Sequence, residues 1–277
     1  MSYKNTPVGT TNPGLIMILI DQSGSMEAPY EGSRSKAEFA ALAVNRCIQS
    51  ILEGCKSMEK TKDRCYVLVV GYGAPNKNPK AGGQKAYLIV GGKISEVETQ
   101  RIRLDTVKKK EGDGAGGLIE IDFSLGIWVE PCVEGDTPME DAFKKAEEYA
   151  SQWVLEHPNN YPPIVINITD GQPNDSGAAE SAARALMKVA TSDGNLLLFN
   201  AHIGDGQKQV ILPTSESALS DQFEKLMFRL SSEIPPSMFE FANKTGLPVQ
   251  TGSRGAMINA NAENLVKMIE LGSTTMK

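Results

Sequence analysis

Residues 15–25 read LIMILIDQSGS, an apolar run of six residues followed directly by a polar turn. No polar side chain interrupts the apolar part, which is typical of a strand covered by helices on both faces of a parallel sheet. The run ends at Asp21. Because ligands of open α/β sheets bind beyond the carboxyl ends of the central strands, this stretch predicts a buried strand with a functional loop after it.

Outward from this strand, helical and strand patterns alternate along the chain. The clearest are helix 35–54, strand 65–70, helix 138–155, strand 164–169, helix 176–190 and strand 196–203. Residues 220–271 repeat the alternation more weakly, ending in a helix at 262–271. The alternation predicts one α/β domain over 1–277, with a core of about 14–272. Its sheet should be doubly wound and mostly parallel, with helices on both faces.

One basic segment, residues 73–117, interrupts the alternation. It has no long helical pattern and is rich in Gly and Pro. Between residues 74 and 110, nine Lys or Arg stand against three Asp or Glu, a local charge of +6 in a chain whose net charge is −6. We interpret it as an insertion, with residues 86–90 forming one strand of a hairpin that turns at Gly91 and Gly92. Such a surface can bind an acidic partner or be a solvated face, and with Tyr87 as its single aromatic residue it does not predict nucleic-acid binding.

The overall composition is that of an ordinary globular protein. The chain has 277 residues, of which 40% are hydrophobic and 22% charged. Its longest apolar runs are far shorter than the roughly 20 residues of a membrane-spanning helix, and residues 1–14 do not resemble a secretory signal. The four cysteines show no paired spacing, so we expect reduced thiols and a cytoplasmic protein without membrane contact.

Oxygen-bearing side chains follow the predicted strands at one edge of the sheet. Asp21, Ser23 and Ser25 alternate after the first strand, Thr137 precedes a helix, and Asp170 follows a later strand. Carboxylate and hydroxyl oxygens without Cys or His suit Mg²⁺, with Mn²⁺ or Ca²⁺ as alternatives, rather than zinc. Because hydroxyls are neutral ligands, a cation held this way would keep an open position for an anionic oxygen from outside.

Taken together, these residues resemble the von Willebrand factor A family. Residues 21–25, DQSGS, are similar to its DxSxS motif, Thr137 to its single threonine, and Asp170 to its closing aspartate; the resemblance spans about 15–271. It implies a metal-ion-dependent adhesion site. In it, Ser23, Ser25 and Thr137 would contact the metal directly or through water, and Asp21 and Asp170 mostly through water or from behind those ligands. It also implies one antiparallel edge strand, for which residues 123–129 are the candidate.

Finer features resemble the intracellular bacterial members of that family. These features are the sequence TPM at 137–139 and the final helix. The resemblance implies a non-enzymatic protein-binding module of a stress-response or defence system, with a kinase, phosphatase or ATPase as partner. The metal would capture a Glu or Asp carboxylate of that partner. Two residues depart from the common pattern: Gln22, where a smaller residue is usual, and Asp136, which replaces a glycine.

The same residues also allow functions other than metal-dependent adhesion. Each site residue has a local alternative; residues 137–140, for example, also form a helix-capping box. A Mg²⁺-dependent phosphohydrolase would also place an aspartate after its first strand, although its second carboxylate would fall at Ser23. A third alternative is a vestigial metal site, with partner binding through the basic segment. His157 and His202 are expected to be a helix-end residue and a packed strand residue.

Overall fold

The computed structural model of this chain describes residues 3–30, 32–112, 118–204 and 208–276, so residues 113–117 of the basic segment lie outside it. The strands are β1 (Gly14–Asp21), β2 (Lys56–Ser57), β3 (Lys60–Thr61), β4 (Cys65–Tyr72), β5 (Ala86–Lys93), β6 (Arg103–Gly112), β7 (Leu118–Ile127), β8 (Ile164–Thr169), β9 (Leu197–Ile203), β10 (Val210–Ile211) and β11 (Ala256–Ala260). The helices are α1 (Lys36–Cys55), α2 (Ile94–Thr99), α3 (Met139–Glu156), α4 (Ser176–Leu186), α5 (Gln222–Arg229), α6 (Phe239–Lys244) and α7 (Ala262–Ser273).

Seven strands form a central sheet in the order β10-β11-β9-β8-β1-β4-β5. The pairs from β11 to β4 are parallel, whereas β10 and β5 pair antiparallel at the two edges. This confirms the predicted doubly wound, mostly parallel α/β fold. Strand β1 lies between β4 and β8, so the winding reverses beside it. The crevice beyond its carboxyl end is therefore the expected ligand position.

The alternation of side chains along β1 explains its unbroken apolar sequence. Ile16, Ile18 and Ile20 belong to a buried cluster that includes α1 and α7. Leu15 and Met17 belong to a second cluster that includes α3 and α4 on the opposite face. Because both faces are covered, a polar residue at any of these positions would lose hydration without gaining a partner.

Two sequence predictions about the antiparallel strand were wrong. Residues 123–129 do not enter the central sheet, because β7 pairs with β6 in a separate two-stranded ribbon. The antiparallel edge on that side is β5, which continues through Gly91 and Gly92 instead of turning there. A Cβ atom on Gly91 would lie 2.5 Å from Leu68 Cδ2, so this glycine serves close packing within a strand.

Asn45 of α1 connects the ribbon's carboxyl end to the domain. Its Oδ1 accepts hydrogen bonds from the backbone N–H groups of Trp128 (2.9 Å) and Val129 (3.0 Å), and its Nδ2 donates to the Val129 carbonyl (2.9 Å). The side chain is buried. It therefore replaces the backbone partners that a neighbouring strand would supply.

Asn45→Ala is expected to lower the free energy of unfolding by about 2 kcal/mol, because three buried backbone groups lose their partner. Urea denaturation followed by circular dichroism measures the change. Gln49→Ala, which removes the acceptor of a single, partly buried N–H group, that of Gly126 (3.2 Å), should lose less. Equal stability of Asn45→Ala and the unmodified protein would contradict this role.

No helix in the described part of the chain has both the length and the apolar character that a bilayer crossing requires. The four cysteines lie in the described part of the chain and form no disulfide: Cys47, Cys55 and Cys65 are buried, and Cys132 is partly buried.

Candidate metal centre

Three loops meet beyond the carboxyl ends of β1 and β8. The loop after β1 is bonded to the loop before α3, since Gly24 N–H donates to the Gly135 carbonyl (2.9 Å) and Glu134 N–H donates to the Gln22 carbonyl (2.8 Å). The third loop follows β8, which pairs directly with β1. The backbone thus brings together the segments that carry all the predicted site residues.

Two glycines allow the loops to approach this closely. Gly73, just after β4, has a φ of +106°, and a Cβ there would lie 2.7 Å from the Asp136 carbonyl oxygen and 2.9 Å from Ser23 N. Gly135 has a φ of +67°, and its Cβ would lie 2.9 Å from the Gly73 carbonyl oxygen. Both positions require a left-handed backbone and have no space for a side chain. The junction of the loops therefore depends on glycine at each of them.

Four of the five predicted site residues form one hydrogen-bonded network. Asp21 Oδ1 accepts the Ser23 N–H at 2.9 Å, and its Oδ2 accepts the Thr169 hydroxyl at 2.7 Å. The hydroxyls of Ser23 and Ser25 lie 3.1 Å apart, and Ser25 donates to Asp170 Oδ1 at 2.6 Å. The structure therefore places Asp21, Ser23, Ser25 and Asp170 in a single cluster of oxygens.

Thr137, the fifth predicted residue, is held in the adjoining loop by backbone contacts. Its N–H donates to Asn174 Oδ1 (2.9 Å), and its carbonyl accepts the Asn174 N–H (3.1 Å). No side chain caps the amino terminus of α3 among the described residues, so the capping box that the sequence allows is not formed. The threonine hydroxyl is thus not used for helix capping, and the side chain is buried beside the loops of the cluster.

Lys36 also reaches this site, which sequence reasoning missed. Its Nζ donates to Asp170 Oδ2 at 3.0 Å, and the side chains of Lys36 and Asp170 are 11% and 1% exposed. A capping box between Ser35 and Glu38 starts α1 at Lys36 and fixes its position. A lysine in the first turn of a helix opposes the helix dipole, and this is the sequence signal that could have pointed to it.

His202 lies nearby, in register with Thr169 on the neighbouring strand. Burial lowers the pKa of its imidazole, and its ring packs edge-on against Phe223. Its Nδ1 accepts the Asn259 N–H at 3.3 Å. These contacts agree with the predicted packed strand residue. His157, predicted at a helix end, is there and stacks on Trp153.

Two residues depart from the pattern of the family that the sequence resembles, and one of them is buried while the other is exposed. Gln22 is buried, receives a hydrogen bond from the Tyr87 hydroxyl of β5, and lies against Gly71. The long side chain of Gln22 therefore reaches the edge strand β5. Asp136 is exposed beside Thr137, where its carboxylate adds negative charge to the surface around the site.

The electrostatics of the cluster favour a cation. The pKa of Asp21 is raised to about 6, chiefly by burial and also by the neighbouring charge of Asp170, against the hydrogen bonds from Thr169 and Ser23. The described residues contain no group of three or more His, Cys, Asp or Glu placed to hold a metal. A metal here would therefore use hydroxyls together with two carboxylates, a donor set that fits Mg²⁺ and not zinc.

Comparisons with known proteins show similarity of fold. No family model and no curated protein matches this sequence. Among solved structures, the pilus adhesin SpaC from Lactobacillus rhamnosus GG is similar, with a TM-score of 0.56 and 12% identity over 99% of this chain. The matched region is 33% of the adhesin, so this chain spans about a third of its length. A manganese-loaded TRAP protein from Plasmodium vivax also matches, with a TM-score of 0.38 and 17% identity, over 84% of this chain and 68% of that one. Together with the strand order, the similarity to the adhesin shows a mostly parallel, Rossmann-like α/β fold.

Proposed function

We propose that this chain is a non-enzymatic protein-binding module that uses a divalent metal to capture a Glu or Asp carboxylate of its partner. The observation that carries the proposal is the cluster of Asp21, Ser23, Ser25 and Asp170, with Thr137 in the loop bonded to it. Mg²⁺ is the proposed ion, and Mn²⁺ or Ca²⁺ would use the same oxygens. A cation held largely by neutral hydroxyls offers a strong attraction to an incoming carboxylate.

The chain's own residues would prepare the site in distinct ways. Ser23, Ser25 and Thr137 would supply hydroxyl oxygens to the metal. Asp21 accepts the Ser23 N–H and so fixes the turn that carries both serines. Asp170 accepts a hydrogen bond from the Ser25 hydroxyl, which leaves the oxygen lone pairs of Ser25 available to a cation.

The cellular role belongs to the same proposal. Following the family resemblance, we place the module in the cytoplasm of a bacterial cell, in a stress-response or defence system with a kinase, phosphatase or ATPase as partner. Its specificity would come from the loops around the metal, including the exposed Asp136. The cation would attract an acidic partner group, whereas the negative charge of Asp136 would oppose its approach and weaken the capture of partners without further contacts to these loops.

The test is a pull-down from a lysate of the native host, with Mg²⁺ or with EDTA, read by mass spectrometry. We expect a partner that the unmodified protein captures only with Mg²⁺. Thr137→Val, which removes one oxygen and keeps the shape, should reduce its capture about tenfold, since one ligand is lost. Thr245→Val is the matched control, because among the described residues the Thr245 hydroxyl donates only to backbone carbonyls of α6.

Two results would contradict the proposal. An identical set of captured proteins in all samples would move the interface away from the metal centre, and charge reversal at Lys108 and its two following lysines would then test the basic segment. Metal-dependent hydrolysis of a generic phosphate ester that Asp21→Ala removes would favour a phosphohydrolase.

A further inference from the structure

Lys36 places a positive charge inside the proposed metal centre. Its ammonium donates to Asp170 Oδ2, while the other oxygen of the same carboxylate accepts the Ser25 hydroxyl. Asp170 is therefore shared between a residue proposed to bind the metal and a lysine. Most other ion pairs of the described chain, such as Lys244 with Glu240, are exposed; the Lys36–Asp170 pair is almost fully buried.

Because the Lys36–Asp170 pair is buried, it affects the stability of the metal-free protein. A buried carboxylate without a counter-charge is strongly unfavourable, and the desolvated Asp21 lies in the same cluster. The Lys36 ammonium supplies one positive charge directly to Asp170, one of the two carboxylates of this cluster. The ammonium therefore supplies part of the positive charge that a divalent cation would bring to the same cluster.

A metal ion bound in this cluster and the Lys36 ammonium would repel each other, and screening of their charges is weak where water is excluded. Lys36 cannot simply swing away with its helix, because the Ser35–Glu38 capping box and the packing of α1 in the core hold its backbone. A bound metal must therefore either coexist with the ammonium or displace its side chain from Asp170.

We propose that Lys36 is a built-in counter-ion of this site, which competes with the divalent cation and sets the affinity for it. The inference rests on the proposed function, because it takes the cluster to be a metal centre. Lys36 neutralises Asp170 when the metal is absent and weakens metal binding by its charge. The chain would thus hold a preformed site that fills only when the metal concentration is high enough to overcome the lysine.

The experiment titrates Mg²⁺ into metal-free protein by isothermal calorimetry. Lys36→Met keeps the length of the side chain and removes its charge, and we expect it to bind Mg²⁺ at least tenfold more tightly than the unmodified protein. Lys244→Met, which removes a lysine from an exposed pair on α6, should leave the affinity unchanged. In EDTA, Lys36→Met should also unfold at a lower temperature than the unmodified protein, and Mg²⁺ should raise its unfolding temperature by more.

The outcomes separate this inference from the proposed function. Mg²⁺ binding of equal or lower affinity in Lys36→Met, with clear binding by the unmodified protein, would overturn the counter-ion role and leave the metal centre standing. Absence of binding in both would overturn the metal centre itself, and the inference with it. If Lys36→Met does not fold, Lys36→Gln, whose amide still donates a hydrogen bond to Asp170, is titrated instead with the same expectation.

Discussion

Asp21→Asn is expected to stabilise the metal-free protein at pH 7 and to abolish its response to Mg²⁺. Burial raises the pKa of Asp21 to about 6, so at pH 7 the folded protein contains a charged, desolvated carboxylate. The difference from the unfolded pKa of about 3.9 corresponds to about 3 kcal/mol, which the uncharged amide should recover. The same substitution removes a negative charge from the metal centre, and Mg²⁺ should no longer raise the unfolding temperature.

The contribution of Asp21 to the free energy of unfolding falls as pH rises. As pH rises through the interval from about 4 to about 6, the unfolded chain loses the Asp21 proton first, so the contribution of Asp21 to stability falls there and is constant above it. Urea denaturation in EDTA at pH 4.5 and 7.5 measures this, and the difference between the two proteins isolates Asp21 from other groups. Asp122→Asn, in an exposed pair with Lys108, is the control. A loss of stability in Asp21→Asn at pH 7.5 would show that its charge is already compensated without metal.

Gly73→Ala is expected to have the largest effect on the architecture of the site. The new Cβ would overlap two backbone atoms, the Asp136 carbonyl oxygen and Ser23 N, at a residue whose φ is +106°. Backbone strain and overlap together should lower the free energy of unfolding by about 4 kcal/mol. Because relief of the overlap must separate the loops of Ser23 and Thr137, Mg²⁺ binding should be lost as well.

Gly83→Ala is the matched control for this substitution. Gly83 also has a positive φ, +84°, but a Cβ there would meet nothing within 4 Å. It should therefore cost only the backbone strain, about 1 kcal/mol, and retain metal binding. Chemical denaturation and calorimetric titration of both variants provide the comparison. Equal stability and equal metal binding of Gly73→Ala and Gly83→Ala would mean that the close approach of the loops at Gly73 is not needed for the site.

Most of the candidate site could be predicted because each part follows a buried strand or precedes a long helix. The apolar run of β1 and its polar ending locate Asp21, Ser23 and Ser25, and the run of β8 locates Asp170 in the same way. The rule that parallel strands place their carboxyl ends at one edge then brings them together. Lys36 could not be found by this reasoning, because it lies in the first turn of a helix and does not follow a strand directly.

The sequence by itself determined the class of the fold and the edge of the sheet that carries the oxygens. Hydrophobic periodicity and the polar residues that end each run are local properties, and they persist in any arrangement of the chain. The tertiary structure alone decided that β5, and not residues 123–129, forms the antiparallel edge beside β4, and that a lysine pairs with Asp170. Strand partners and charge compensation depend on which distant segments meet. A pattern within one segment specifies its own buried face, but not the group that packs against it.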